Sequence, residues 1–97
     1  MAPLNIRRLV LDVDKALARP QITEIAAAIH GAVGVKAVNI TVTEIDLETV
    51  GMDVTIQGEN IEYDSVVRAI ESSGAVVHSI DELSTGDYLL EKVQRSR

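Results

Sequence analysis

Five carboxylates are spaced so that they could bind a hard cation. Asp12 and Asp14 are two residues apart, and Glu44, Asp46 and Glu48 occupy every second position of one short stretch. In a β-strand, residues two apart point to the same side and are separated by about 6–7 Å. Carboxylate oxygens are the ligands that Ca²⁺ and Mg²⁺ prefer. The spacing leaves three alternatives: an acidic sheet end that faces water, a cation site, or a pair of catalytic carboxylates.

His78 is a further residue that could take part in chemistry. It lies in the middle of an apolar stretch, VVHSI at residues 76–80, so the pattern leaves open which face of a strand it occupies. Beside Asp12 it could join a cation site or form an acid–base pair. Elsewhere it would be a structural histidine. The chain contains no cysteine, which excludes disulfides, thiolate metal sites and thiol nucleophiles.

The elements that must position these residues follow from the spacing of the apolar side chains. Alternation predicts strands over about residues 6–15, 38–46, 48–57 and 75–83. Helical spacing predicts one helix that begins near Pro20 and ends at Gly31 or Gly34, and a second that runs from residues 61–62 to Gly74. The order βαββαβ predicts an α+β, ferredoxin-like sandwich: a four-stranded antiparallel sheet with both helices on one face.

This topology places most of the acids at one end of the sheet. The end of the first strand, the turn at residues 44–48 and the start of the fourth strand all lie there. We therefore predict a divalent cation site, for Ca²⁺ or Mg²⁺, and no catalytic residue. The predicted ligands are Asp12, Asp14, Glu44, Asp46, Glu48 and His78.

Length and composition limit the classes of protein. A chain of 97 residues predicts a single domain, with its core at about residues 4–84 and an amphipathic C-terminal tail at 86–97. The net charge of −6 and the presence of only two aromatic residues argue against a nucleic-acid partner. No apolar run approaches the ~20 residues that span a bilayer, and no signal-peptide layout is present. These features predict a cytoplasmic protein.

Four stretches of the chain resemble a small, mainly archaeal family, the domain of unknown function two-eleven. They are IRRLVLDV (6–13), VNITV (38–42), EIDLET (44–49) and HSIDE (78–82). The resemblance covers about residues 4–90. It implies a stand-alone ferredoxin-like protein that assembles into a homo-oligomeric ring, without an established enzyme activity. Asp14 departs from the apolar residue that the resemblance implies, so the Asp12/Asp14 pair would be particular to this chain.

Three hypotheses for function follow. The first is a non-enzymatic oligomeric module that binds a divalent cation or small ligand at the acidic sheet end or between subunits. The second is a small enzyme that uses His78 and Asp12 as an acid–base pair. The third is a purely structural protein that forms a ring. Edge strands need protection from uncontrolled pairing, which favours a homo-oligomer in the first and third cases.

Overall fold

The computed structural model describes residues 4–90, which form one four-stranded sheet covered by two helices. The strand order is β2-β3-β1-β4, and all neighbouring strands are antiparallel. This is the predicted ferredoxin-like βαββαβ fold. The elements are β1 (Ile6–Ala16), α1 (Ile22–His30), β2 (Val35–Ile45), β3 (Thr49–Gly58), α2 (Tyr63–Ser73) and β4 (Val76–Thr85).

The two central strands, β1 and β3, define the two faces of the sheet. Their pairing runs without interruption from Arg8 opposite Gln57 to Ala16 opposite Thr49. Side chains alternate between the faces along each strand. Leu9, Leu11 and Val13 of β1 are therefore buried on the helix side, as predicted. The intervening residues of β1 lie on the opposite side, which we call the open face.

The core lies between the sheet and the helices. Each helix contributes two fully buried residues, Ile25 and Ile29 from α1 and Val66 and Ile70 from α2. Complete burial of an aliphatic side chain of this size is worth roughly 1.5–3 kcal/mol. The apolar faces of the two helices thus pack on one side of the sheet, and no helix among residues 4–90 covers the other side.

Both helices begin one or two residues later than the sequence pattern predicts, which gave starts near Pro20 and at residues 61–62. Helix α1 begins at Ile22 because the backbone N–H of Gln21 donates to the Oε1 of Glu24 at 2.9 Å, which caps the first turn. Pro20 lies before this cap. Helix α2 begins at Tyr63, and Ile61 is instead buried in the core.

The predicted amphipathic tail lies mainly outside the described residues. Residues 86–90 follow β4 as bends and irregular backbone, without a helix. The backbone N–H of Gly86 donates to the carbonyl of Asn5 at 3.0 Å, and the Arg7 Nε donates to the carbonyl of Gly86 at 2.7 Å. These two bonds fix the start of the tail against β1.

Candidate functional site

Asp12 lies on the open face at the centre of the sheet. Its register partner on β3 is Asp53, and its register partner on β4 is Ser79. Directly opposite residues of antiparallel strands have Cβ atoms about 4.5–5.5 Å apart, so Asp12 and Asp53 are neighbouring like charges. Asp53 was not among the predicted ligands. The alternation of β3 already places it on the open face, but only the strand register reveals that it faces Asp12.

Asp14 and Glu44 flank a glycine in the next row of the open face. Gly51 is paired with Asp14 on one side and with Glu44 on the other. A Cβ atom built on Gly51 would lie 3.6 Å from the Asp14 Oδ1 and 3.7 Å from the Glu44 Cβ. The glycine therefore leaves room between two carboxylate side chains that belong to different strands.

Asp46 and Glu48 lie in the β2–β3 turn, beyond the last paired row. The N–H of Asp46 donates to the carbonyl of Thr49 at 2.8 Å, and the carbonyl of Glu48 accepts from the N–H of Leu17 at 3.0 Å. Glu48 and Asp14 line the same shallow cavity of about 270 Å³ at this end of the sheet. Asp46 and Glu48 thus lie next to the open face, outside the paired part of the strands.

His78 lies on the open face beside Asp12. Its Nδ1 is 3.3 Å from the Asp12 Oδ2, and the two side chains are 68% and 36% exposed. The pair is charged on both sides only when His78 is protonated. A shift in register places His78 as an extra residue of β4 between the pairs formed by Ser79 and Val77. This β-bulge brings the imidazole towards β1, and it explains why alternation alone left the face of His78 open.

The six predicted ligands do not form one compact group within a single chain. The structure brings Asp12 together with His78, and it places Asp14 and Glu44 on either side of Gly51, one strand apart from each other. Across residues 4–90, no three His, Asp or Glu side chains are close enough to hold a metal ion. Within the described residues, the predicted ligands therefore do not converge on one point.

Few basic groups offset the negative charge of this region. Among residues 4–90, no Lys or Arg nitrogen lies within 4.0 Å of the carboxylates of six acids in this region: Asp12, Asp14, Glu44, Asp46, Glu48 and Asp53. Arg8, farther along the same face, pairs with Glu82 at 3.2 Å. Lys15 directs its Nζ to the carbonyls of Ala16 and Leu17 at 3.1 and 3.2 Å. Within residues 4–90, His78 is therefore the only basic side chain within 4.0 Å of these carboxylates.

Apolar side chains remain exposed along the sheet margin next to these acids. Leu47 at the turn is 91% exposed, and Ile45 just before it is 69% exposed. On the opposite edge, Val76, Ile80 and Leu83 of β4 are each about half exposed. Exposed aliphatic side chains thus occur at both edges of the sheet, on β2 with its turn and on β4.

Neither helix in the described part of the chain is long and apolar enough to cross a lipid bilayer.

The chain matches a family of uncharacterised proteins over nearly its whole length. The family model, described as uncharacterized ArCR and known as domain of unknown function two-eleven, covers residues 7–97. The chain therefore belongs to this family. It is also 44% identical over 90 residues to the uncharacterized protein MJ0319 of Methanocaldococcus jannaschii, an alignment that covers 93% of this chain and 92% of that protein.

Proposed function

We propose that this protein is a non-enzymatic, homo-oligomeric module that binds a divalent cation at the acidic part of its open face. The observation that carries the proposal is the placement of Asp12, Asp53, Asp14 and Glu44 on one uncovered sheet face, with no Lys or Arg nitrogen of residues 4–90 within 4.0 Å of them. Bringing like charges together on a rigid sheet is unfavourable unless a counter-charge offsets their repulsion.

Ca²⁺ suits this arrangement better than Mg²⁺. It accepts about six to eight oxygen ligands in flexible geometry, whereas Mg²⁺ demands a near-ideal octahedron. Within residues 4–90 one chain does not gather three suitable side chains. The remaining ligands would therefore be water or carboxylates from a second copy, which links cation binding to assembly.

The exposed apolar residues support the oligomeric part of the proposal. Leu47, Ile45 and the half-exposed residues of β4 would lose contact with water in an assembly. Burial of apolar area contributes about 25 cal/mol per Å², so several such side chains supply a driving force for association. We expect a closed ring in the cytoplasm, which the family resemblance and the sequence features predict.

Calorimetric titration with Ca²⁺, Mg²⁺ and Mn²⁺ tests the cation. We expect saturable heat and a raised melting temperature with Ca²⁺. Asp12→Asn with Asp14→Asn should weaken binding by about tenfold or more, because affinity follows the charge of the ligands. Glu71→Gln, which removes one charge from the exposed side of α2, is the control and should bind normally. An absence of heat together with an unchanged melting temperature would refute the cation site.

Light scattering coupled to size exclusion separates the two halves of the proposal. A uniform oligomer that binds no cation would leave the purely structural assembly protein as the function. A monomer at all concentrations would remove the oligomeric part. Cation-dependent assembly would support both parts together.

The 3.3 Å approach of His78 to Asp12 favours a second candidate, a small enzyme with an acid–base pair. Screening ester, amide and phosphate-ester substrates tests it. Any activity found should be lost in both His78→Gln and Asp12→Asn. It should persist in His30→Gln, which changes the histidine in the last turn of α1. Activity that survives His78→Gln would eliminate this candidate.

A further inference from the structure

The two ends of the long β2–β3 hairpin carry surfaces of opposite character. At one end is the hairpin tip, residues 45–48, in which Asp46 and Glu48 flank Leu47. Leu47 is 91% exposed and Ile45 is 69% exposed. An exposed apolar side chain between two carboxylates would fit a pocket that has apolar walls and basic residues at its edge.

The hairpin tip has a defined shape before any partner binds. Asp46 and Thr49 are joined by a backbone hydrogen bond of 2.8 Å, and Leu17 holds the carbonyl of Glu48 at 3.0 Å. A loop that is already ordered loses less conformational entropy when it docks.

The opposite end of the sheet carries a groove with two basic residues. This basic groove has a volume of about 260 Å³ and is lined by Arg7, Lys36, Ala37, Gln57, Gly58 and Leu89. That volume is below the ~300–1,000 Å³ usual for small-molecule sites, so the groove suits one or two side chains.

The two basic residues of the groove differ in their partners. Arg7 is held by the carbonyl of Gly86 and lies 3.6 Å from the Glu59 carboxylate. Lys36 has no carboxylate within 4.0 Å among residues 4–90. Lys36 is thus the natural counter-charge for an incoming acid, and Ala37 and Leu89 supply apolar walls.

The hairpin tip cannot reach the groove of its own chain. Strand β2 runs from Val35 to Ile45 between them. At about 3.3 Å per residue this separates the two surfaces by roughly 33 Å. Only another molecule can bring a matching tip to the groove.

We propose that the hairpin tip of one copy docks in the basic groove of the next. Leu47 would pack against Ala37 and Leu89, and Glu48 would face Lys36. The inference rests on the homo-oligomer proposed above and specifies its interface. The contact is heterologous, because two different surfaces meet, and repetition of such a contact produces a ring if the rotation closes.

Reversal of single charges tests the interface. Glu48→Lys and Lys36→Glu should each weaken self-association by about tenfold or more, because like charges would then face one another. Glu71→Lys, on the exposed side of α2, is the control and should assemble like the unchanged protein. Size-exclusion chromatography with light scattering at low salt measures assembly, and circular dichroism verifies that each variant is folded.

Restoration of the charge pair makes the test specific. Glu48→Lys combined with Lys36→Glu in one chain should recover assembly, and so should a mixture of the two single variants. Loss of assembly without recovery would refute the tip-to-groove contact. If the unchanged protein and both single variants all assemble, this interface is refuted but the proposed oligomer is not. A monomeric unchanged protein would refute the proposed oligomer and this interface with it.

Discussion

At Gly58 the backbone of β3 approaches the segment before β2 too closely for any side chain. A Cβ atom at Gly58 would lie 1.9 Å from the carbonyl oxygen of Gly34 and 3.1 Å from the backbone nitrogen of Lys36. These are backbone atoms, which cannot rotate away as a side-chain terminus could. The carbonyl of Gly34 also accepts a hydrogen bond from Glu59 at 3.1 Å, which holds it in place.

We predict that Gly58→Ala destabilises the protein strongly. Overpacking costs typically ~1–3 kcal/mol, and the backbone contact places this variant at the upper end of that range. Gly51→Ala in the same strand is the matched control, because its Cβ would meet no atom closer than 3.6 Å. Its free energy of unfolding should stay within about 0.5 kcal/mol of the unchanged protein. Urea unfolding measures both, and equal values would contradict the prediction.

Individual site residues were predictable to the extent that alternation remained regular. Asp12 and Asp14 lie on the open face because β1 alternates without interruption along its pairing with β3. His78 and Asp53 were harder for different reasons. The face of His78 is decided by a β-bulge, and the importance of Asp53 depends on register, which is a relation between strands. Local alternation predicts neither the β-bulge at His78 nor the register that pairs Asp53 with Asp12.

Among the elements, the two helices end at glycines with different backbone conformations. Gly74 after α2 has φ of 106°, in the left-handed region, whereas Gly31 after α1 has φ of −81°. Left-handed backbone is costly for residues with a Cβ atom. Space is not the constraint at Gly74, where a Cβ would lie 3.5 Å from Pro20.

Gly74→Ala should therefore lower the free energy of unfolding by roughly 1–2 kcal/mol through backbone strain alone. Gly31→Ala should leave it unchanged or raise it by up to about 1 kcal/mol, because the unfolded chain loses conformational freedom. Thermal unfolding of the two variants side by side measures the difference. The same change in both would show that the conformation of the helix end is not the determining factor.

Element types and order were predictable because apolar periodicity is strong in every strand and helix. Helix starts were less predictable, because capping depends on particular contacts. Gln21, which precedes α1, is not among the preferred N-cap residues, yet its backbone N–H bonds to Glu24. Glu62 precedes α2 and likewise lacks a capping side-chain bond. Apolar periodicity therefore predicts both helices, but the sequence carries no strong N-cap signal that would predict their first residues.

At the scale of the whole molecule, both helices of the described chain lie on the same face of the sheet. The resulting body measures 41 × 38 × 21 Å, which is the shape of a slab. Association of such slabs would bury surface that each molecule alone leaves in water. Stability would then be a property of the assembly and would depend on how much protein is present.

We predict that the melting temperature rises with protein concentration. By mass action, each tenfold increase in concentration adds up to about 1.4 kcal/mol per association step to the apparent free energy of unfolding. Differential scanning calorimetry over a hundredfold range of concentration measures the rise. Glu71→Lys, outside the proposed interface, should show the same dependence. A constant melting temperature would contradict coupling between folding and assembly.

The bulges of the edge strands have a consequence for the addition of further strands. In β4, extra residues at His78 and Asp81 interrupt the pairing twice, and in β2 they do so at Lys36 and Thr43. An incoming strand from a neighbouring molecule could match hydrogen-bonding groups only over short stretches between these points. We therefore expect a further strand to pair less readily with either margin of this sheet than it would with a regular edge.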